Sequence, residues 1–119
     1  MKKTLVLGAT PDATRFAYKA ANMLTDYGHE IVPVGMKKGE VAGKVIQNDY
    51  PQVEGVDTVT LYVGTRNLEP LFDYIINLGP KRIIFNPGTE NDALIRLAKE
   101  KNIETVIGCT LVMLAVGNY

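Results

Sequence analysis

Residues 3–18 constrain the fold more than any other part of the chain. A short apolar run at residues 4–7 ends abruptly at Gly8, a polar loop follows, and a helical pattern then begins. A strand, a glycine turn and a helix in this order form the first half of a βαβ unit. The helix would direct unpaired N–H groups and the positive end of its dipole at the loop, which favours a phosphate group there.

Strand and helix patterns alternate along the rest of the chain. Short β-rich segments predict five strands at residues 4–7, 30–35, 57–63, 82–85 and 104–107. Helical patterns follow the first strand up to about Tyr27, and recur at residues 67–78, 90–101 and 109–116. This order predicts an α/β fold, a doubly wound parallel five-stranded sheet in three layers with helices on both faces.

Local signals predict how some of these elements begin and end. Asp12 or Thr14 is the expected cap of the first helix, and Asn67 or Thr65 that of the second. Pro33 lacks an N–H donor, which places its strand toward an edge of the sheet or ends it early. Residues 36–52 are polar and rich in glycine, so we expect a loop there with a short turn or helix and a tiny strand at residues 44–46.

Composition limits the classes of protein to which the chain can belong. Its length predicts one domain over residues 1–119, and its 13 basic and 13 acidic side chains cancel, which argues against a general nucleic-acid surface. No apolar run is long enough to cross a membrane, and only four apolar residues follow Lys3, too few for a signal peptide. A lone cysteine and a lone histidine favour the reducing cytoplasm and cannot form the usual zinc site.

The predicted topology selects five loops as the candidate ligand site. In open α/β sheets, ligands bind outside the carboxyl ends of the strands, where the strand order reverses. That rule selects residues 8–15, 34–38, 63–67, 86–90 and 108–110. His29 lies at the opposite end of the sheet, so we give it no catalytic role, and the tyrosines are interpreted as packing residues.

The first loop has a phosphate-binding composition without a known fingerprint. Thr10 and Ala13 stand where the later glycines of a dinucleotide fingerprint would be, and no P-loop lysine follows. Backbone N–H groups, the hydroxyls of Thr10 and Thr14, and the cation of Arg15 could still hold a phosphate. The same residues also suit a plain turn and a helix cap.

The second loop carries the basic pair Lys37 and Lys38. Proteins that bind NAD usually place an acidic residue at this point to hold the ribose hydroxyls. Two lysines suit an additional ribose phosphate instead, either the 3′-phosphate of coenzyme A (CoA) or the 2′-phosphate of NADP. A solvated basic turn is the alternative interpretation.

The remaining loops offer single candidates. Gly64 permits a close backbone approach, and Arg66 could clamp a phosphate or face solvent. The side chain of Asn86 is expected to face the ligand. Cys109 fits a small buried residue, or a reactive thiol at a helix start that could form a mixed disulfide with a thiol cofactor.

Several motifs together resemble one family. The segments VLGAT-P, GHEIVPVG, VDTVTLYVGTRN, RIIFNPGTEN and ETVIGCTLVML occur in the order found in the small CoA-binding domain family, which is similar to the nucleotide-binding N-terminal domain of the succinyl-CoA synthetase α subunit. The resemblance covers almost the whole chain. It implies a Rossmann-like fold and a CoA ligand.

The resemblance also assigns parts of the ligand to the loops. The pyrophosphate would lie on residues 8–15, the adenosine beside residues 34–37 with residues 63–66 opposite, and the pantetheine arm along residues 86–88, closed by Cys109. With the residues of the loop analysis, the predicted cofactor-binding set is Gly8, Ala9, Thr10, Thr14, Arg15, Val34, Gly35, Met36, Lys37, Lys38, Val63, Gly64, Thr65, Arg66, Asn86, Pro87, Gly88 and Cys109.

The sequence therefore predicts a cytoplasmic, single-domain protein that binds CoA or an acyl-CoA as a binding, sensing or carrier module. No paired acid and base, activated nucleophile or metal cluster predicts catalysis. An NADP(H)-binding sensor or oxidoreductase subunit is the alternative, and an interaction module with a vestigial cleft is a third possibility. The expected partner is a small-molecule nucleotide cofactor, without nucleic acid or membrane, and the chain could form a homo-oligomer or join a larger assembly.

Overall fold

The computed structural model describes the whole chain, Met1–Tyr119. Five strands form the main sheet and a two-stranded hairpin lies beside it: β1 (Thr4–Leu7), β2 (Ile31–Val34), β3 (Glu40–Val41), β4 (Lys44–Val45), β5 (Thr58–Leu61), β6 (Arg82–Phe85) and β7 (Glu104–Ile107). The helices are α1 (Phe16–Asp26), α2 (Phe72–Asn77), α3 (Asp92–Glu100) and α4 (Thr110–Val116). No helix is both long and apolar enough to cross a lipid bilayer.

The strand order places a switch point beside β1. The main sheet runs β2-β1-β5-β6-β7, and every neighbouring pair is parallel. The chain leaves β1 toward β2 and later returns to β5 on the other side, so the loops after β1 and β5 diverge. The register sets Leu7 level with Val34 and Leu61, so the carboxyl ends meet at one edge. The predicted α/β, Rossmann-like, doubly wound fold is confirmed.

Helices cover both faces of the sheet. One apolar cluster contains Leu5 and Leu7 of β1 together with core residues of α2 and α3, and the other contains Val6 with core residues of α1 and α4. Alternate residues of one strand therefore enter opposite cores, which is why β1 reads as a continuous apolar run. This confirms the three layers.

The hairpin covers one edge of the sheet. Pro33 lies in the edge strand β2, as its missing donor predicts, and its carbonyl accepts a hydrogen bond of 2.9 Å from the N–H of Gln47. The N–H of Gly35 donates to the carbonyl of Gln47 at 3.1 Å. The tiny strand expected at residues 44–46 is β4, and its turn has positive φ at Ala42 and Gly43.

The predicted starts of α1 and α2 are wrong, whereas those of α3 and α4 lie within two residues of the observed ones. Helix α1 begins at Phe16, because the Asp12 carboxylate accepts hydrogen bonds from the N–H and hydroxyl of Thr14 and so closes a turn within the loop. Two 3₁₀ turns, Thr65–Asn67 and Glu69–Leu71, replace the expected first part of α2, where Pro70 has no N–H for a helical bond. Helix α3 begins at Asp92, and its cap is Asn91, which accepts from the Leu94 N–H at 3.0 Å.

Candidate anion-binding cleft

Two glycines allow the loops after β1, β2 and β5 to meet backbone to backbone. Gly8 has a φ of +95°, and a Cβ on it would lie 2.6 Å from the carbonyl oxygen of Tyr62. A Cβ on Gly35 would lie 3.1 Å from the backbone nitrogen of Ala9. Both contacts are tighter than side chains normally tolerate, so glycine at these positions holds the three loops together at the switch point.

A cleft of about 780 Å³ lies where these loops meet, within the usual range of about 300–1,000 Å³ for small-molecule sites. It opens at the carboxyl edge of the sheet, as the topology predicts. Its walls are formed by Gly8, Ala9, Thr10, Arg15, Phe16, Ala17, Gly35, Met36, Lys37, Tyr50, Tyr62, Val63, Gly64, Arg66, Asn67, Pro70 and Leu71.

The charge of the cleft differs from that of the chain. Arg15, Lys37 and Arg66 line it, and no acidic residue does, although the chain as a whole is neutral. Asp12 is the nearest acid to Arg15, at 3.8 Å, but both side chains are exposed and the pair is weak. Hydrogen bonds from Thr14 lower the pKa of Asp12, so it stays ionised beside Arg15. Because three cations and no acid line the cleft, it favours an anion.

Backbone donors add to this preference. The N–H groups of Phe16, Ala17 and Tyr18 in the first turn of α1 have no acceptor in the protein, and no side chain caps the helix. The Thr10 hydroxyl oxygen accepts from the Asp12 N–H at 3.1 Å, which leaves its own hydrogen free for a ligand. These donors and the helix dipole match the charge and oxygen atoms of a phosphate.

Asn48 shapes the second loop. Its side-chain amide donates to the carbonyls of Gly35 at 2.7 Å and Lys37 at 2.9 Å. These bonds fix the loop that places Lys37 on the cleft, while Lys38 does not line it. The basic pair of the sequence thus contributes one cation to the site.

The structure brings together the larger part of the predicted set. The residues on the cleft are Gly8, Ala9, Thr10, Arg15, Gly35, Met36, Lys37, Val63, Gly64 and Arg66, and those that do not line it are Thr14, Val34, Lys38, Thr65, Asn86, Pro87, Gly88 and Cys109. Val34 is fully buried in β2, and the hydroxyl of Thr65 accepts from the Asn91 amide at 3.0 Å.

Asn86 differs most from expectation. Asn86 is only 1% exposed, and its side-chain nitrogen donates to the Thr60 hydroxyl at 2.7 Å and to the Leu61 carbonyl at 2.8 Å. Its side-chain oxygen accepts from the Thr110 N–H at 2.9 Å. The amide therefore joins the ends of β5 and β6 to the start of α4, and the prediction that it faces the ligand is not met by this geometry.

Other cleft residues were not predicted. From the sequence, Tyr50 and Tyr62 are expected to be packing residues and Asn67 is a candidate helix cap within the loop of residues 63–67. Phe16, Ala17, Pro70 and Leu71 are not predicted for the site. Phe16 could have been found from its place at the start of α1. Tyr50 could not, because it reaches the cleft from the long connection after β4, where it packs edge-on against Tyr74 with ring centroids 5.5 Å apart.

Tyr62 has an unusual environment for a cleft residue. Its hydroxyl is buried without a hydrogen-bond partner, and burial raises the pKa of this group, so it stays protonated at neutral pH. The ring packs against the core beneath α1 and α4. It therefore contributes a wall to the cleft and no titrating group.

Comparisons with solved structures agree with this fold. A crystal structure of an uncharacterized protein is 59% identical, covers 100% of this chain and 98% of its own, and superposes with a TM-score of 0.98. A hypothetical protein from Pyrococcus horikoshii OT3 is 25% identical over 93% of this chain and 80% of its own, with a TM-score of 0.84. A protein from Thermus thermophilus, cell-free ID.343, is 21% identical over 99% and 90%, with a TM-score of 0.86, and supports the fold alone.

No curated protein matches the chain. The family model described as "CoA binding domain" matches residues 2–115, which include every loop of the cleft. The resemblance found in the sequence is thereby confirmed, and the chain belongs to the CoA binding domain family.

Proposed function

We propose that residues 1–119 act as a single cytoplasmic domain that binds coenzyme A or its thioesters in the cleft, as a binding or carrier module without catalysis of its own. One observation carries the proposal: a neutral chain gathers three cations and no acid around the switch-point cleft. Membership of the CoA binding domain family supports coenzyme A as the anion that this cleft would take.

The charges of CoA find complementary groups on three loops. The unpaired N–H groups at the start of α1, with Thr10 and Arg15, suit its pyrophosphate. Lys37 suits the 3′-phosphate of the ribose, and Arg66 adds a cation on the opposite wall. Large apolar groups at the rim, above all Met36 at 84% exposure, can cover the adenine ring.

NADP is the alternative ligand, since its 2′-phosphate could also meet Lys37. Isothermal titration calorimetry with CoA, NADP and NAD separates the possibilities. We expect CoA to bind most tightly, because the glycine fingerprint of dinucleotide-binding proteins is absent from residues 8–13. Selective binding of NADP would replace the proposal by the alternative, and no heat with any of the three would support an interaction module.

A matched pair of lysine variants tests the assignment of the ribose phosphate. Lys37→Ala should weaken CoA binding by about 1–2 kcal/mol, or roughly 5–30-fold, because it removes a charge-assisted contact. Lys38→Ala removes the same charge one residue away and off the cleft, so it should have little effect. With 3′-dephospho-CoA as ligand, the two variants should bind alike. Equal losses in both variants with CoA would contradict the assignment.

A further inference from the structure

We infer that the amino edge of the sheet carries a second binding site, for a small aromatic carboxylate, and that Tyr119 of the same chain occupies it. This amino-edge site consists of Lys2, Thr4, His29 and Arg82, and it lies at the opposite end of the strands from the cleft. No residue of it lines the cleft, so it does not depend on the proposed function.

Arg82 provides the first observation, because its positive charge is buried without an acidic side chain to pair with it. Arg82 is 7% exposed, its Nε–H donates to the Thr58 hydroxyl at 3.0 Å, and its Nη2 is buried without a hydrogen-bond partner. The one ion pair between side chains in the chain joins Arg15 and Asp12. Asp57 reaches Arg82 only through the Thr58 hydroxyl, which donates to the Asp57 carboxylate at 2.7 Å. Since a buried charge is unfavourable unless it is paired, this guanidinium favours an anion beside it.

A second cation points to the place that this anion would take. The Lys2 ammonium donates to the main-chain oxygen of Tyr119, and Nη1 of Arg82 donates to the same oxygen at 3.3 Å. Hydrogen bonds from lysine or arginine to a carboxylate or phosphate oxygen are among the strongest in proteins. The point where these two donors meet therefore suits an oxyanion.

The ring of Tyr119 shows that the site also takes an aromatic group. The guanidinium carbon of Arg82 lies 4.4 Å from the ring centroid and the Lys2 ammonium 5.7 Å from it, both within the range of cation–π attraction. The His29 ring is 4.9 Å away, and its Nδ1 accepts from the Lys2 N–H at 3.0 Å, which orients the imidazole. The Tyr119 hydroxyl lies 2.6 Å from the Thr4 hydroxyl, so a phenol group has a partner too.

Tyr119 can leave the site without the loss of a helix or strand. Helix α4 is complete before it, because Gly117 has a φ of +82° and the Asn118 N–H donates to the Met113 carbonyl at 3.0 Å. A single residue therefore covers the site. A ligand with the same ring and an oxyanion would compete with this tethered residue and release it from the edge of the sheet.

Binding of 3-(4-hydroxyphenyl)propionate to Tyr119→Gly protein tests the site. This probe carries the ring, the hydroxyl and the oxyanion, and it should bind the variant about tenfold more tightly than the unsubstituted protein, because the tethered competitor is gone. Two matched probes, 4-ethylphenol without the carboxylate and propionate without the ring, should each bind about tenfold more weakly than the complete probe. Tyr27→Gly removes an exposed tyrosine elsewhere and should gain no affinity.

The side-chain NMR signals of the arginines report where the probe binds. The Nε–H signal of Arg82 should shift, while those of Arg15 and Arg66 in the cleft should not. In the Tyr119→Gly background, Lys2→Ala should weaken binding about tenfold, because it removes one donor to the oxyanion, whereas Lys101→Ala at an exposed position should have no effect. Equal binding of the probe and 4-ethylphenol, or a shift confined to Arg15 and Arg66, would overturn the assignment.

The unsubstituted protein provides the test if Tyr119→Gly does not fold. Short tethers give effective concentrations in the millimolar range, so the probe at about 20 mM should displace a measurable fraction of Tyr119. The ring signals of Tyr119 and the Nε–H signal of Arg82 should then shift together. If both signals stay unchanged at this concentration, the site does not bind aromatic carboxylates.

Discussion

Substitution of Asn86 tests the network that closes the carboxyl edge of the sheet. Asn86→Ala removes hydrogen bonds of 2.7, 2.8 and 2.9 Å to Thr60, Leu61 and Thr110. At about 1–1.5 kcal/mol for each bond, the loss is about 3–4.5 kcal/mol. It is a lower estimate, because the Thr110 N–H and the Leu61 carbonyl are buried and would lose their partner.

A loss of this size is a large part of the stability of a small domain, about 5–15 kcal/mol. We expect the Asn86→Ala melting temperature to fall by roughly 10–15 °C, measured by circular dichroism. Asn77→Ala is the control, since Asn77 is exposed at the end of α2 and its side chain makes no hydrogen bond, so about 0.5 kcal/mol or less is expected. A loss below about 1 kcal/mol for Asn86→Ala would refute the reasoning.

Asn86→Asp provides a second test, because the pH dependence expected for it would not result from loss of packing alone. A carboxylate still accepts from Thr110, but its second oxygen faces the Leu61 carbonyl, to which the Asn86 amide donates. Burial and this carbonyl raise the pKa of the new group in the folded state, so the folded state binds the proton more tightly than the unfolded one. The deficit relative to the unsubstituted protein should therefore shrink as the pH falls, and an unchanged deficit between pH 8 and pH 5 would contradict the assigned bonds.

Three further predictions concern stability. Gly8→Ala should lower the free energy of unfolding in urea by about 3 kcal/mol, because φ is +95° and the new Cβ would clash with the Tyr62 carbonyl. Gly43→Ala, at a φ of +78° in open space, should lower it by about 1 kcal/mol, and equal losses would contradict the close approach of Gly8 to Tyr62. Burial lowers the pKa of His29, the only histidine, so the unfolded state binds the proton first as the pH drops. The free energy of unfolding should therefore fall as the pH drops through about 6.5, and this pH dependence should be absent in His29→Gln. Burial raises the pKa of Tyr74 to about 12, so the unfolded state loses its proton first and stability should fall above about pH 10, with a smaller slope in Tyr74→Phe.

The fold could be predicted because its signals are local. Strands β1, β6 and β7 lie at the predicted residues, since each is a short apolar or β-branched run that ends at a turn residue. The helix starts could not be predicted as well. Asp12 could either cap α1 or close a turn in the loop before it. The two outcomes depend on hydrogen bonds of similar strength, and sequence alone does not rank them.

The site was predictable at the level of loops. Parallel strands bring their carboxyl ends together, so the glycines and cations after β1, β2 and β5 meet as expected. The hydrogen-bond partners of Asn86 could not be predicted in this way. The partners that occupy its amide, Thr60 and Thr110, lie 26 and 24 residues away in the chain, and sequence does not reveal that they meet it.

The basic cleft makes the charge distribution of the molecule asymmetric. Three of the 13 cationic side chains and none of the 13 acidic ones face it, so the rest of the molecule carries ten cations against thirteen acids. A ligand with several negative charges is therefore drawn toward one side and repelled from the others before it touches the protein. Its association rate should decline as added salt shortens the Debye length below about 10 Å, while an uncharged fragment of the same ligand arrives at a rate that salt does not change.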